Sequence, residues 1–225
     1  MITVKNLTKT YINGEIVTPV LKGIDLEINT GEFIAIMGKS GAGKSTLLYQ
    51  ISLLDKPTTG AIAVNEIDIL KLSETERTDF RLRKLGYIFQ DYALVPELTA
   101  EENVAIPLIM QGVPYEKAKE KARTIIDSID MKGKYSNRPN QLSGGQQQRV
   151  SVARAIVQQP EILFADEPTA NLDSTSSKQV IELLHELHKK GQTIVMVTHE
   201  PEYTKYCDRI IYLEDGKITN YDYKV

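Results

Sequence analysis

Over residues 2–37 the apolar positions fall into strand patterns. Ile24, Leu26 and Ile28 alternate with Asp25 and Glu27, the period of two that a half-buried strand requires. Ile2, Val4 and Leu7 open a similar pattern, and Asn13-Gly14 is a hairpin turn signal. Thr30-Gly31 turns the chain into the apolar run 32–37, which reads as a buried strand. The period then lengthens, predicting a helix from Lys44 to about Leu54, broken by Pro57-Thr58-Thr59-Gly60. Ala61–Ile69 predicts a strand with a turn near Asn65-Glu66. Ser73 with Glu76 forms a capping box for a helix to about Lys84 that Gly86 ends, and Tyr87-Ile88-Phe89 predicts a short strand.

The character changes at Asp91. From there to about Gln158 no strand pattern occurs. Thr99 with Glu102 predicts a second capping box and a helix toward Gln111, which Pro107 should kink or end. Pro114 sits where a first helical residue belongs, ahead of apolar spacing at Ala118, Ala122, Ile125, Ile126 and Ile129. Strands return at Glu161–Ala165. Ser174 is expected to cap a helix to about Lys190, stopped by Gly191. Thr193–Thr198 predicts a strand and 202–206 a short helix. Arg209–Glu214 and Lys217–Thr219 predict a hairpin around Asp215-Gly216. The alternation implies an α/β fold with a mostly parallel, helix-covered sheet and an N-terminal antiparallel β subdomain. Residues 1–90 and 159–225 are expected to form the core, and 91–158 a helical subdomain inserted into it.

Composition narrows the partners. The 225 residues are 41% hydrophobic and 25% charged, with a formal net charge of −3, so the basic excess usual for nucleic-acid binding is missing. A single cysteine, Cys207, allows no internal disulfide and reads as a partly buried free thiol in a reducing cytoplasm. Met1–Lys5 lacks the layout of a signal peptide, and no apolar stretch nears the roughly 18 residues of a membrane span. The expectation is a cytoplasmic chain whose membrane role would need a second polypeptide.

The chemistry centres on Gly38–Thr46, GKSGAGKST, placed between a strand and a helix. It fits G-x-x-x-x-G-K-[ST], the P-loop pattern for nucleotide phosphates. A triphosphate crowds side chains, so Gly38, Gly41 and Gly43 let the backbone N–H groups around Ser40 and Ala42 turn inward. The N-terminus of the helix adds its dipole, Lys44 offers a point charge for the β- and γ-phosphates, and Ser45 a hydroxyl for Mg²⁺. Thr46 closes the motif. A glycine-rich turn with these four fixed positions and no ligand should arise by chance in roughly one chain per hundred.

Two further constellations follow. Ile162–Ala165 runs into Asp166-Glu167, a carboxylate pair at a strand end. Asp166 is the candidate for the Mg²⁺ side and Glu167 for a general base on water. Leu142-Ser143-Gly144-Gly145-Gln146 places an N-cap and two glycines at a helix start, a second anion site. Two copies facing head to tail would bring the P-loop of one to the Ser-Gly-Gly of the other. Tyr11 is either a sheet aromatic or a platform for an adenine ring.

In these motifs the chain resembles the nucleotide-binding domain of an ATP-binding cassette (ABC) transporter, over essentially its whole length. The resemblance implies ATP and Mg²⁺ as ligands. It implies adenine stacking on Tyr11, and Gln90 as the residue that contacts Mg²⁺ and water and relays to a transmembrane partner. It further implies that Ser143–Gln146 closes over the ATP of a second copy, that Ala170-Asn171-Leu172-Asp173 contacts that copy, and that His199 holds the γ-phosphate and orients Glu167. Leu54–Gly60 and Glu167–Asp173 are similar to the macrolide-exporter and lipoprotein-release class, which implies an ATPase paired with a separate permease and peripheral on the inner face of the membrane. Tyr92, Ala93, Leu94 and Val95 are candidates for the docking surface. The rival readings are a regulatory ATPase that drives a membrane protein without transport, a soluble cassette of DNA repair or translation, and a nucleotide kinase.

Overall fold

The computed structural model describes residues 1–223. In chain order its elements are β1 (Ile2–Asn13), β2 (Ile16–Ile28), β3 (Phe33–Met37), α1 (Lys44–Ile51), β4 (Thr59–Val64), β5 (Ile67–Asp68), α2 (Glu74–Lys84) and β6 (Leu85–Ile88). Then come α3 (Ala100–Met110), α4 (Tyr115–Ser128), a 3₁₀ turn at Pro139–Gln141, α5 (Gly144–Ile156), β7 (Ile162–Asp166) and α6 (Ser174–Lys189). The chain finishes with β8 (Thr193–Val197), a 3₁₀ turn at Pro201–Tyr206, β9 (Arg209–Glu214) and β10 (Lys217–Tyr223). They form two compact bodies, one of Met1–Asp79 with the chain from His188 onward, the other Phe80–Leu187.

The first body holds two sheets. β1 pairs antiparallel with β2, from Ile2 opposite Ile28 to Asn13 opposite Ile16, and on its other edge with β4. The alternation is the expected one: Ile24, Leu26 and Ile28 are buried while Asp25 and Glu27 face solvent. In the second sheet β3 lies parallel to both β8 and β9, and β10 returns antiparallel along β9. β3 and β8 are buried at every residue, which is why β3 reads as an unbroken apolar run and β8 as one after Thr193. Asp215 and Gly216 both have positive φ, 45° and 77°, in the hairpin turn the sequence predicts.

The second body packs α3, α4 and α5 around Val104, Ala105, Leu108, Ala118, Ala122, Ile126, Val150 and Ala153. Beside them β6 and β7 pair in parallel, Leu85 opposite Ile162 and Ile88 opposite Ala165. Both predicted capping boxes form: the Ser73 N–H donates to Glu76 at 2.8 Å, and the Thr99 N–H to Glu102 at 2.8 Å.

Local expectations fail in four places. Gly86 ends no helix, because α2 passes directly into β6. A Cβ there would stand 2.5 Å from the Ala155 carbonyl oxygen, so the glycine serves close packing. Pro114 is the N-cap of α4, which starts at Tyr115, rather than its first helical residue. α1 stops at Ile51 rather than near Leu54, with Leu53 at a φ of 62°. Asp173, not Ser174, caps α6: its carboxylate accepts from the Ser176 N–H at 3.0 Å and the Ser176 hydroxyl at 2.8 Å.

Candidate functional site

In the first body β3 delivers the chain to Gly38 at its carboxyl end. Gly38, Gly41 and Gly43 have φ of 153°, 78° and 99°, the conformations a tight inward curl needs. Gly38 is also crowded, since a Cβ there would stand 2.1 Å from the Leu213 carbonyl oxygen. Gly43 is the N-cap of α1 and offers no side chain, so no cap competes for the helix's first N–H groups. Lys44 is buried, and its ammonium donates to the carbonyls of Gly38 at 3.0 Å and Lys39 at 3.1 Å. The loop thus folds around its own cation. Ser40 and Gly41 are exposed, Ala42 is buried, and Ser45 and Thr46 are half-buried. His199 follows β8, the parallel neighbour of β3, and lies exposed at the carboxyl edge that also launches the loop. In parallel α/β sheets that edge is where ligands bind.

Tyr11, near the end of β1, is 42% exposed. Its hydroxyl donates to Asp55 at 3.0 Å, and the Lys9 ammonium lies 4.7 Å from the ring centroid. Burial and the adjacent Asp55 carboxylate raise the phenol above its usual pKa. Burial pushes Asp55 up as well, but hydrogen bonds from Lys9, Gln50, the Lys56 N–H and Tyr11 outweigh it and hold the carboxyl below its usual range.

In the second body β6 and β7 end side by side, which places Gln90 and the Asp166-Glu167 pair at one carboxyl edge. Asp166 is buried and Glu167 half-buried. Glu167 has a φ of 43°, a left-handed conformation that ordinary residues avoid. Ser143 caps α5 as the sequence predicts, in a capping box with Gln146. Gly145 has no room for a side chain, because a Cβ would stand 2.5 Å from the Ser176 hydroxyl. A Cβ on Gly144 would meet the Tyr92 hydroxyl at 2.9 Å.

Three side chains knit these segments together, and the sequence did not single them out for it. Gln148, fully buried on α5, donates to the Pro168 carbonyl at 2.8 Å and the Phe89 carbonyl at 3.4 Å, one residue beyond Glu167 and one before Gln90. Asn171 donates to the Gln90 carbonyl at 3.2 Å and to Asp91 at 3.1 Å. Arg154, whose burial lowers its pKa, donates to the carbonyls of Tyr92 (2.9 Å) and Ala93. Tyr92 and Ala93 carry positive φ, and Leu94 packs on the helical core while Val95 is partly exposed. A buried glutamine has no signature in a single sequence, because glutamines are mostly exposed.

No helix among the described residues is long and apolar enough to cross a membrane. Nor do three His, Cys, Asp or Glu side chains gather there as a metal centre. Mg²⁺ carried on nucleotide phosphates needs only one or two protein oxygens, and Ser45 and Asp166 are of the hard-oxygen type it takes.

A P-loop between a buried parallel strand and a helix, in a mixed α/β chain with an antiparallel N-terminal sheet, defines a nucleotide-binding ATPase cassette. The family of ABC transporters matches residues 21–170. An ABC transporter ATP-binding protein of Bacillus subtilis, YvrO, is 43% identical over 97% of this chain and 95% of its own length. An ABC transporter ATP-binding protein of Methanocaldococcus jannaschii is 47% identical over 97% of each chain. The macrolide export ATP-binding/permease protein MacB of Aggregatibacter actinomycetemcomitans is 45% identical over 97% of this chain. This chain spans 34% of the length of that MacB relative. Among solved structures, a dimeric ATP-binding cassette in a post-hydrolysis state with ADP and Pi superposes with a TM-score of 0.92 and 42% identity, covering 99% of this chain and 98% of that one. The chain belongs to the ABC transporter family, as an ATP-binding cassette.

Proposed function

We propose that this chain hydrolyses ATP as a head-to-tail homodimer under a separate transmembrane permease, on the cytoplasmic face of the membrane, in a system of the macrolide-exporter or lipoprotein-release type. The observation that carries the reading is the loop of Gly38–Gly43, curled around the buried Lys44 ammonium and opening onto uncapped helix N–H groups. When the γ- and β-phosphates enter, they replace the loop carbonyls as partners of Lys44. The exporter reading draws on the MacB relative, whose single chain joins ATP-binding and permease functions.

The residue roles belong to the same proposal. Tyr11 stacks on adenine, and the N–H groups from Gly38 to Thr46 cradle the phosphates. Mg²⁺ would be held by Ser45, Asp166 and Gln90, and would supply charge neutralisation at the β- and γ-oxygens. Glu167 takes a proton from the attacking water, and His199 holds the γ-phosphate oxygens in place. Ser143 to Gln146 present the N-terminus of α5 to the γ-phosphate bound by the second copy. Residues 91–158 act as the helical lobe that meets the permease.

Glu167→Gln tests the base and the dimer together. The expected result is tight ATP binding, a species of twice the mass on size-exclusion chromatography with ATP, and hydrolysis reduced by a factor of about 100 or more. Hydrolysis at the parent rate would show that Glu167 is not the base.

A further inference from the structure

A tyrosine near the end of a hairpin strand ordinarily samples several rotamers. Tyr11 is instead held from two directions. Its hydroxyl donates to Asp55 Oδ2 at 3.0 Å, and the Thr46 hydroxyl hydrogen-bonds the same phenol. Asp55 is itself fixed by three other donors: Lys9 Nζ at 2.8 Å, Gln50 Nε2 at 2.9 Å and the Lys56 N–H at 2.7 Å. Lys9 also donates to the Lys56 carbonyl at 2.6 Å, and from that anchored position its ammonium lies 4.7 Å over the Tyr11 ring. The ring is therefore gripped at its hydroxyl by an anion and covered on one face by a cation. Gln50 lies in the last turn of the helix that begins with Lys44 and Asp55 just beyond its end, so the grip is tied to the element that follows the phosphate loop.

We propose that Asp55 and Lys9 are positioning residues for the nucleotide base: they pre-set the Tyr11 ring and reserve one of its faces for a purine. The inference rests on the reading that Tyr11 stacks on the base. The physical gain is preorganisation. A ring already held in its bound rotamer loses less freedom when the base arrives, which is worth about three- to ten-fold in affinity for one side chain. Lys9 contributes through cation–π attraction on the covered face. The contacts of Asp55 and Lys9 are with each other, Gln50, Lys56 and Tyr11 rather than with the Gly38–Gly43 loop, so the benefit is expected for the base alone.

The test is calorimetric titration of the full chain, with Mg²⁺ present, against ADP and against inorganic pyrophosphate. The variants are Asp55→Ala, Lys9→Met, Tyr11→Ala and Tyr11→Phe. Tyr11→Ala should weaken ADP about ten-fold or more by removing the stack. Asp55→Ala, Lys9→Met and Tyr11→Phe should each weaken it about three- to ten-fold. Asp55→Ala combined with Tyr11→Phe should cost no more than Asp55→Ala alone, because the hydroxyl contact is already broken in it. Pyrophosphate binding should stay at the parent level throughout. If Tyr11→Ala weakens ADP while Asp55→Ala and Lys9→Met do not, the clasp is refuted and the stacking stands. If Tyr11→Ala leaves ADP binding intact, the stacking reading itself fails. Equal losses for ADP and pyrophosphate would place Asp55 in the support of the phosphate loop and overturn the proposal. Tyr11→Phe keeps the ring and deletes one hydroxyl, so it reads the clasp even if Asp55→Ala folds poorly.

Discussion

Gln148 is a fully buried side chain of the second body. Its amide nitrogen serves two carbonyls, on the segments that follow β6 and β7, from a position with no solvent exposure. Gln148→Leu keeps the volume but leaves both carbonyls short of a donor, at about 1–3 kcal/mol for a buried unpaired group. The expected outcome is a lower urea midpoint and reduced ATP turnover, with ADP affinity at the P-loop unchanged; an unchanged midpoint would refute the linkage. Lys44→Ala should do the reverse. The two loop carbonyls lie beside the exposed Lys39 and Ser40 and can turn to water. The nucleotide meanwhile loses charge-assisted hydrogen bonds worth about 1.5–3 kcal/mol, a ten- to hundred-fold weaker affinity by titration. The contrast also shows what a single sequence can reveal. Lys44 was legible because phosphate chemistry demands a lysine after that glycine spacing. Gln148, Asp55 and Lys9 were not, because their partners are reached only through tertiary packing.

Among the elements, α3 and α4 are joined by one buried charge. Glu101 accepts from Arg123 at 2.5 Å and Lys119 at 3.0 Å. Burial alone would push its carboxyl up, but Arg123 and Lys119 outweigh burial and hold it below the usual value. A carboxyl depressed in the folded state contributes stability that is whole above the unfolded pKa, about 4.3, and is lost as pH falls through the lower folded value. Glu101→Gln should therefore lower the urea midpoint at pH 7, and the gap to the parent should close as the pH drops below 4.3. A gap that persisted at the lowest pH would mean that the residue acts by packing rather than by charge. The element pattern was mostly readable beforehand. Ser73, Thr99 and Ser143 announced their helices because capping chemistry is local. Gly86 misled because a glycine marks either a turn or a close approach, and only the fold brings Ala155 and Leu163 against it.

At the scale of the whole molecule, the proposed homodimer has a consequence that no single chain can display. In a twofold head-to-tail pair each ATP would be held by the P-loop of one copy and the Ser143 helix start of the other. Lys44→Ala disables the P-loop, and Ser143→Arg puts a bulky cation where the N-cap stands and removes the hydroxyl that accepts from the Gln146 N–H. Each variant alone forms dimers with two broken sites and should show only background turnover. Mixed in equal amounts, they pair at random, and about half of the dimers are mixed. In a mixed dimer one site combines the intact Lys44 of one copy with the intact Ser143 of the other, while the second site carries both defects. With independent sites the mixture should recover about a quarter of the parent turnover, measured as phosphate release at saturating ATP. Recovery at that level would require the two motifs to act across copies. A mixture that stays at background, from variants that each melt like the parent, would mean either that both motifs serve an ATP within one chain or that the two sites must fire together. Adding either variant to excess parent separates these. Poisoning of the parent rate would point to coupled sites in a dimer, and simple dilution would point to a chain that works alone.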